Sequence, residues 1–358
     1  MIRSIDATLV RVPMRRALGT SAARVTEAPL LLIDLHTEDG VTGRAYVFCY
    51  VEAAGHAAVA LTKDLTAALA GTPVAPAVVR RKLESRFKLL GVRGLVAAVL
   101  AGVDVACWDA LAIAAGLPLA TLLGADLRPI PAYNSNGLGL IEPDAAAREA
   151  QELVAEGFTA IKMRLGRPSA QDDLAAVRAV RAAIGPDVAL MADYNQALNL
   201  ADARDRCGRL DDEGLSWIEE PVRHDDYPAN ARLADELRTP IQLGENFAGP
   251  RELARALEHG ACDLVMPDLD RIGGVTGWRA GAALADAATI PLSSHLYPEV
   301  SVHLLAASPT AHWLEYVDWA APLLERPIAI ADGFAQTSTA PGNGLDWNRE
   351  AVERYRVR

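Results

Sequence analysis

The sequence predicts an α/β protein, a (β/α) barrel preceded by a smaller α+β domain. Three observations predict it. From Ile130 onward, short apolar runs alternate with amphipathic stretches, giving eight runs at intervals of about 20 to 30 residues. Ahead of them, residues 1 to about 50 alternate like a strand meander, and residues 51 to 123 read as alanine-rich helix. At 358 residues the chain can bury a large core and fill two domains.

The meander reads as IDATLVRVP, then APLLLIDLHT, then an EDG turn into VTGRAYVF. Met14 to Thr26, between the first two strands, is small and polar and is expected to be a movable loop. The apolar stretch Leu95 to Leu123 carries Asp104 and Asp109 and then Gly116 and Pro118, so it reads as a buried helix that stops, not a membrane span. Barrel strands are expected at IPAYNS, AIKMRL, VALMADY, LSWIEEP, PIQLGE, LVMPDL, IPLSSH and HWLEYV. Stretches such as PDAAAREAQELVAEG and AQDDLAAVRAVRAAIG supply the helices between them. No helix is evident after the last strand. PLLERPIAIADGFAQ reads as extended and is expected to return to the first domain. The expected units are residues 1–126, 127–325 and 326–358.

Half the residues are hydrophobic and 23% are charged, a globular composition. The net charge of −11 argues against nucleic acid or an anionic membrane as the main partner. Cys49, Cys107, Cys207 and Cys262 form no CxxC pair, so neither a disulfide framework nor a thiolate zinc site is indicated. The start alternates like a strand and has no secretory apolar core. The chain is expected to be soluble and cytoplasmic.

Three acids end three of the apolar runs: Asp193, Glu219 and Glu245, with successive members 26 residues apart. That interval is one strand plus one helix, so the acids are expected at equivalent places on neighbouring strands. Converging carboxylates repel unless a cation neutralises them, and a hard, oxygen-seeking ion such as Mg²⁺ suits them. A lone acid after a strand is usually a helix N-cap. Here, however, strand after strand delivers an ionisable group: Lys162 and Arg164, then the three acids, then Asp268, His295 and Glu315. Lys162 and Arg164 lie two apart and so face the same side. The C-terminal strand ends of such barrels are where active sites lie. Alternation turns Glu220 to the other face as a structural residue, and His303 and His312 read as packing.

The stretches ADYNQAL, WIEEPVRHDDY, GENFAGP, MPDLDRIGGVTGW, PLSSHLY and HLLAASPTAHWLE resemble the mandelate racemase group of the enolase superfamily. EAPLLLIDL and AGVDVACWDAL extend the resemblance into the first domain. The resemblance implies a (β/α)7β modified TIM barrel with an N-terminal α+β capping domain, in a homo-oligomer. It implies that Asp193, Glu219 and Glu245 ligate Mg²⁺, that Lys162 contacts a substrate carboxylate, and that Asn195 contacts its 2-hydroxyl. It makes His295, oriented by Asp268, an acid/base group, and Glu315 a hydrogen-bond donor to the enolate oxygen. The chemistry is coherent, because an α-proton beside a carboxylate needs strong stabilisation of the resulting oxyanion. Histidine titrates near neutrality, and acids clustered beside Glu315 are expected to keep it protonated.

One position departs from the pattern. Two-base racemases of this group carry a second lysine where this chain has Arg164, and guanidinium is a poor general base. Either Arg164 gives up its proton, or it serves as a cation or proton donor while His295 runs a one-base reaction. Positions matching the substrate cap are Leu18, Thr20, Ala22, Val25, Phe48 and Tyr50, with Leu296 and Val317 on the barrel side. They are mostly apolar, which suits an aryl group better than a sugar acid. Arg15 and Arg16, two cations of that loop, are expected to face solvent. The leading expectation is therefore racemisation of an apolar or aryl 2-hydroxy acid. Dehydration of an acid sugar through His295 alone stands beside it. A catalytically silent metal-binding scaffold is the alternative of another class.

Overall fold

Three antiparallel strands open the chain in this computed structural model, which describes residues 1–21 and 23–358. They are β1 (Ile2–Gly19), β2 (Arg24–Thr37) and β3 (Thr42–Phe48). The first two run well into the stretch read as a loop. Their register slips between Pro13, opposite Glu27, and Leu18, opposite Val25. Proline cannot donate to a ladder, and the irregularity absorbs it while the pairing resumes beyond. Met14 to Thr26 is thus mostly hairpin. Ala22 lies outside the described residues.

Helices α1 (Glu52–Leu69) and α3 (Gly94–Ala115) pack against this sheet, and α2 (Pro76–Arg86) and α4 (Leu119–Leu122) pack on α3. α3 is the apolar helix, and it lies in the interior against β3. The approach is so close that a Cβ on Gly43 would meet the Ala106 carbonyl at 2.0 Å. Gly116, at φ 69°, ends the helix in the left-handed conformation. Its two acids are buried but satisfied. Asp104 accepts from Thr276 N (2.9 Å) and Oγ1 (2.5 Å), and Asp109 from Arg44 N (2.7 Å) and Asn343 N (2.6 Å).

The barrel follows as β4 (Ile130–Asn134), α5 (Pro143–Ala155), β5 (Ala160–Arg164), α6 (Ala170–Ile184) and β6 (Ala189–Asp193). It continues through α7 (Leu200–Leu210), β7 (Ile218–Glu219), α8 (Tyr227–Glu236), β8 (Ile241–Leu243), α9 (Pro250–Glu258) and β9 (Leu264–Val265). Then come α10 (Leu269–Ile272), α11 (Gly274–Ala287), α12 (Pro298–Ala306) and β10 (Leu314–Tyr316). Neighbouring strands pair in parallel, and β10 closes on β4 through Leu314 and Ala132. The run IPLSSH fills the seventh place by isolated bridges, Leu292 to both Val265 and Ala311, and His295 to Asp268. This is an α/β barrel under an N-terminal capping domain.

β10 is followed by one short 3-10 turn, Ala321–Leu323, in place of a barrel helix. The chain next forms a short hairpin, β11 (Ile330–Ala331) and β12 (Phe334–Ala335), which adds antiparallel to the start of β4. It then crosses to the capping sheet, where Trp347 Nε1 donates to Asp34 (3.0 Å) and α13 (Arg349–Tyr355) lies against β1.

Candidate active site

Each strand end carries its group to one rim. The backbone turns sharply there, with Asn195, Gln196 and Glu220 at φ of 46°, 62° and 38° just beyond β6 and β7. Gly244, at φ 142°, lets β8 pass close to β9 before Glu245, since a Cβ would meet Met266 N at 2.8 Å. Oxygens of Asp193, Glu219 and Glu245 then lie within 4.8 Å of one another. Burial and mutual repulsion push the Asp193 and Glu219 carboxyls up, Glu219 to about 8. Burial also opposes ionisation of Glu245, but His295, Arg271 and Lys162 outweigh it and pull that carboxyl down. Three hard oxygen donors gathered where ionisation is costly fit a small divalent cation.

Lys162 is fully buried, with Nζ 2.8 Å from Glu219, 2.9 Å from Glu315 and 3.8 Å from Asp193. Burial disfavours its charge, but the surrounding acids outweigh that and hold it as a cation. From the sequence, acidic neighbours are expected to keep Glu315 protonated, but the cations beside it act in the other direction. Burial pushes the Glu315 carboxyl up, yet Lys162, His295 and Arg164 together pull it down to about 2. One Glu315 oxygen, Oε2, accepts the Leu296 N–H at 2.8 Å.

His295 Nδ1 lies 2.7 Å from Asp268, and Nε2 lies 3.1 Å from Glu245. Burial lowers the imidazole's basicity, but Glu245 and Glu315 reverse this and raise it well above the ordinary histidine value. Asp268 also caps α10, accepting from Asp270 N (2.8 Å) and Arg271 N (3.0 Å). Leu296 and Tyr297, at φ 52° and 50°, follow His295 in the left-handed region. Such strain persists where surrounding bonds fix it, here Ser301 Oγ to Leu296 O at 3.0 Å and Phe48 N to Tyr297 Oη at 3.1 Å.

Arg164 faces the same interior but its guanidinium is clamped. Nη1 donates to the Ser135 carbonyl (2.7 Å) and the Gly137 carbonyl (3.2 Å), and Nη2 to Ser135 Oγ (2.8 Å). Asn195 gives its Nδ2 to Asp193 at 2.8 Å, while its buried Oδ1 has no partner. Glu220 does not turn away. Its left-handed backbone breaks the alternation, and its carboxylate meets Asn246 Nδ2 at 2.7 Å, which also reaches Glu245 at 3.0 Å. His303 is buried as packing, with Nδ1 accepting from Ala120 N at 3.2 Å.

Above the rim, Phe48 stacks on Tyr50 (4.3 Å between centroids) and on Trp319 (5.0 Å). Leu296 and Val317 are buried beside the ionisable groups, while Leu18 and Val25 face each other across the β1–β2 hairpin and Thr20 lies at its turn. Arg16 does not face solvent. It docks on α5 through Glu156 (2.9 Å) and Glu152 (3.2 Å), and the more exposed Arg15 reaches Glu156 at 2.7 Å. Trp319 and Arg271 were not singled out from the sequence. An aromatic residue two places beyond Val317 was the available signal for the first; Arg271 sat unremarked inside MPDLDRIGG.

Two family models match the chain: mandelate racemase/muconate lactonizing enzyme, N-terminal domain, over residues 4–124, and enolase C-terminal domain-like over residues 145–351. The fold superposes on an enolase from alpha proteobacterium Bal199 with bound magnesium, at TM-score 0.97 and 46% identity, covering 100% of this chain and 99% of the other. An enolase from Bradyrhizobium complexed with magnesium and mandelic acid gives TM-score 0.95 and 42% identity, covering 100% and 98%. The L-talarate/galactarate dehydratase of Salmonella typhimurium is 31% identical over 329 residues, 91% of this chain and 82% of that protein.

Proposed function

Because the chain belongs to the mandelate racemase/muconate lactonizing enzyme family of the enolase superfamily, we propose that it is a magnesium-dependent enzyme that removes the α-proton of a 2-hydroxy carboxylate. Asp193, Glu219 and Glu245 would hold Mg²⁺, as magnesium is bound in the two similar enolases. The cation would supply Lewis-acid stabilisation of charge developing on the carboxylate. His295 takes the proton on one face. Asp268 keeps Nδ1 as a donor, so that Nε2 is the nitrogen that exchanges its proton with substrate. Lys162 places a fixed positive charge beside the developing oxyanion. Asn195 Oδ1, unpartnered and buried, is free to accept from the 2-hydroxyl.

The overall reaction we propose is elimination of a 3-hydroxyl, carried by the clamp on Arg164. Its N–H groups point at carbonyl and hydroxyl oxygens, so it serves as a cation and not as a second base. With one base, His295 removes the C2 proton, and the C–H electron pair passes into the carboxylate. The pair then forms the C2–C3 double bond as the 3-hydroxyl leaves with the proton that His295 returns. Water and an enol result, and the enol tautomerises to a 2-oxo acid. Dehydration by the Salmonella relative is the same class of outcome.

A second reading, racemisation of an aryl 2-hydroxy acid, is favoured by the stacked Phe48 and Trp319 and by the mandelic acid in the Bradyrhizobium enolase. One experiment separates the readings. The enzyme is incubated with Mg²⁺ in D₂O against 2-hydroxy and 2,3-dihydroxy acids, with semicarbazide to trap 2-oxo products. Elimination gives a trapped product from the dihydroxy acids and deuterium in a single enantiomer of the others. Deuterium in both enantiomers selects racemisation, and no exchange at C2 overturns both.

A further inference from the structure

Arg271 sits in the wall between the two domains and reaches both. Its Nη1 donates to the Glu245 carbonyl at 2.8 Å and to Asn246 Oδ1 at 2.9 Å, and lies 3.6 Å from the Glu245 carboxylate. Its Nη2 lies 2.5 Å from the hydroxyl of Tyr50, two residues beyond β3 in the capping domain. The guanidinium is also 5.5 Å from the centre of the Tyr50 ring. Asn246 passes the contact on, since its Nδ2 holds Glu220 at 2.7 Å and Glu245 at 3.0 Å. A chain of bonds therefore runs from a cap tyrosine to a residue of the cation cluster.

Two features set this apart from ordinary interdomain packing. Tyr50 holds φ at 60°, a conformation that a bulky residue adopts only where its surroundings fix it, and here the fixing contacts are Arg271 and the Phe48 ring. The planar guanidinium presents separate N–H groups in two directions at once, which a lysine ammonium at that place cannot reproduce.

We propose that Arg271 is a positioning residue that couples the cap to the metal site, holding Tyr50 and Glu245 in one geometry so that cation affinity depends on the Tyr50 hydroxyl. The proposal rests on Glu245 being a ligand, as assigned above. Groups bonded to metal ligands commonly change affinity about 10- to 100-fold when removed, and Tyr50 stands one link further out.

The test is calorimetric titration of Mg²⁺, without substrate, into full-length chain freed of metal. Wild type, Tyr50→Phe, Arg271→Lys and the double variant are compared, with circular dichroism to establish that each is folded. Tyr50→Phe is expected to weaken Mg²⁺ binding about 3-fold in the wild-type background, by the loss of one charge-assisted hydrogen bond at a distance. In the Arg271→Lys background the same change is expected to have no effect, because the link is already cut. Equal affinity of wild type and Tyr50→Phe overturns the coupling alone, as does an undiminished Tyr50 effect beside Lys at position 271. A wild-type chain that binds no Mg²⁺ overturns the ligand assignment, and the coupling with it.

Discussion

His295 Nδ1 and Asp268 Oδ2 lie 2.7 Å apart, and the other oxygen of the same carboxylate caps α10 through the N–H groups of Asp270 and Arg271. One side chain thus orients a base and starts a helix. Asp268→Asn separates these roles. The amide oxygen can still accept from α10, but its NH₂ faces Nδ1 and forces the proton onto Nε2, where the lone pair is needed. Turnover is expected to fall on the order of 10²- to 10⁴-fold, with little change in far-ultraviolet circular dichroism or in Mg²⁺ binding. Near-normal turnover would remove Asp268 from the assigned role.

Arg164→Lys is a gain-of-function experiment. Ser135 and Gly137 hold the guanidinium by geometry that an ammonium cannot match, and an amine can be deprotonated where a guanidinium cannot. The variant is expected to place deuterium in both enantiomers of a 2-hydroxy acid in D₂O, where wild type labels one. Identical labelling patterns in the two proteins would show that Arg164 does not determine which faces are served.

The barrel was legible because each strand and helix repeats a local pattern, and the three acids were legible because they recur at one phase of it. What escaped depended on backbone that breaks the pattern or on side chains reaching between elements. Glu220 was assigned to the other face by alternation, which holds only for extended backbone, whereas its φ is 38°. The cation that opposes protonation of Glu315 was not weighed, because Lys162 comes from β5, 2.9 Å away in space and distant in sequence. The length of the β1–β2 hairpin was hidden by Pro13 and by the small polar residues around its turn. Arg271 lies in a stretch that was recognised, but nothing local says that its guanidinium meets Tyr50 in the other domain.

Glu299 makes stability depend on pH away from the rim. It is buried in the first turn of α12, accepts from Tyr46 Oη at 2.8 Å, and is pushed by burial from 4.5 up to about 7. A carboxyl raised on folding contributes stability that is present below its unfolded value and lost as pH rises through about 7. Glu299→Gln keeps an acceptor for Tyr46 without the charge. In urea titrations the variant is expected to exceed wild type by about 3 kcal/mol near pH 8 and to match it near pH 4. A difference that does not vary between those conditions would mean that the buried charge is not its cause.

The cap hairpin is held down by Arg16, whose guanidinium is largely buried against Glu149 and Glu152 on α5 and Glu156 just beyond its end. Glu156 also takes Arg15 at 2.7 Å and Asn134 Nδ2 at 3.3 Å, so one carboxylate gathers the hairpin and the end of β4. Partly buried networks of this kind contribute more than single exposed pairs and are screened less by salt. Arg16→Ala is expected to destabilise the chain by about 1 kcal/mol and to speed tryptic cleavage at Arg24, where β2 begins. Because the hairpin carries Leu18 and Val25 of the cap while His295 and Lys162 stand on the barrel, KM should rise several-fold with kcat changed less. A fall in kcat at constant KM would instead tie the hairpin to the proton transfer itself.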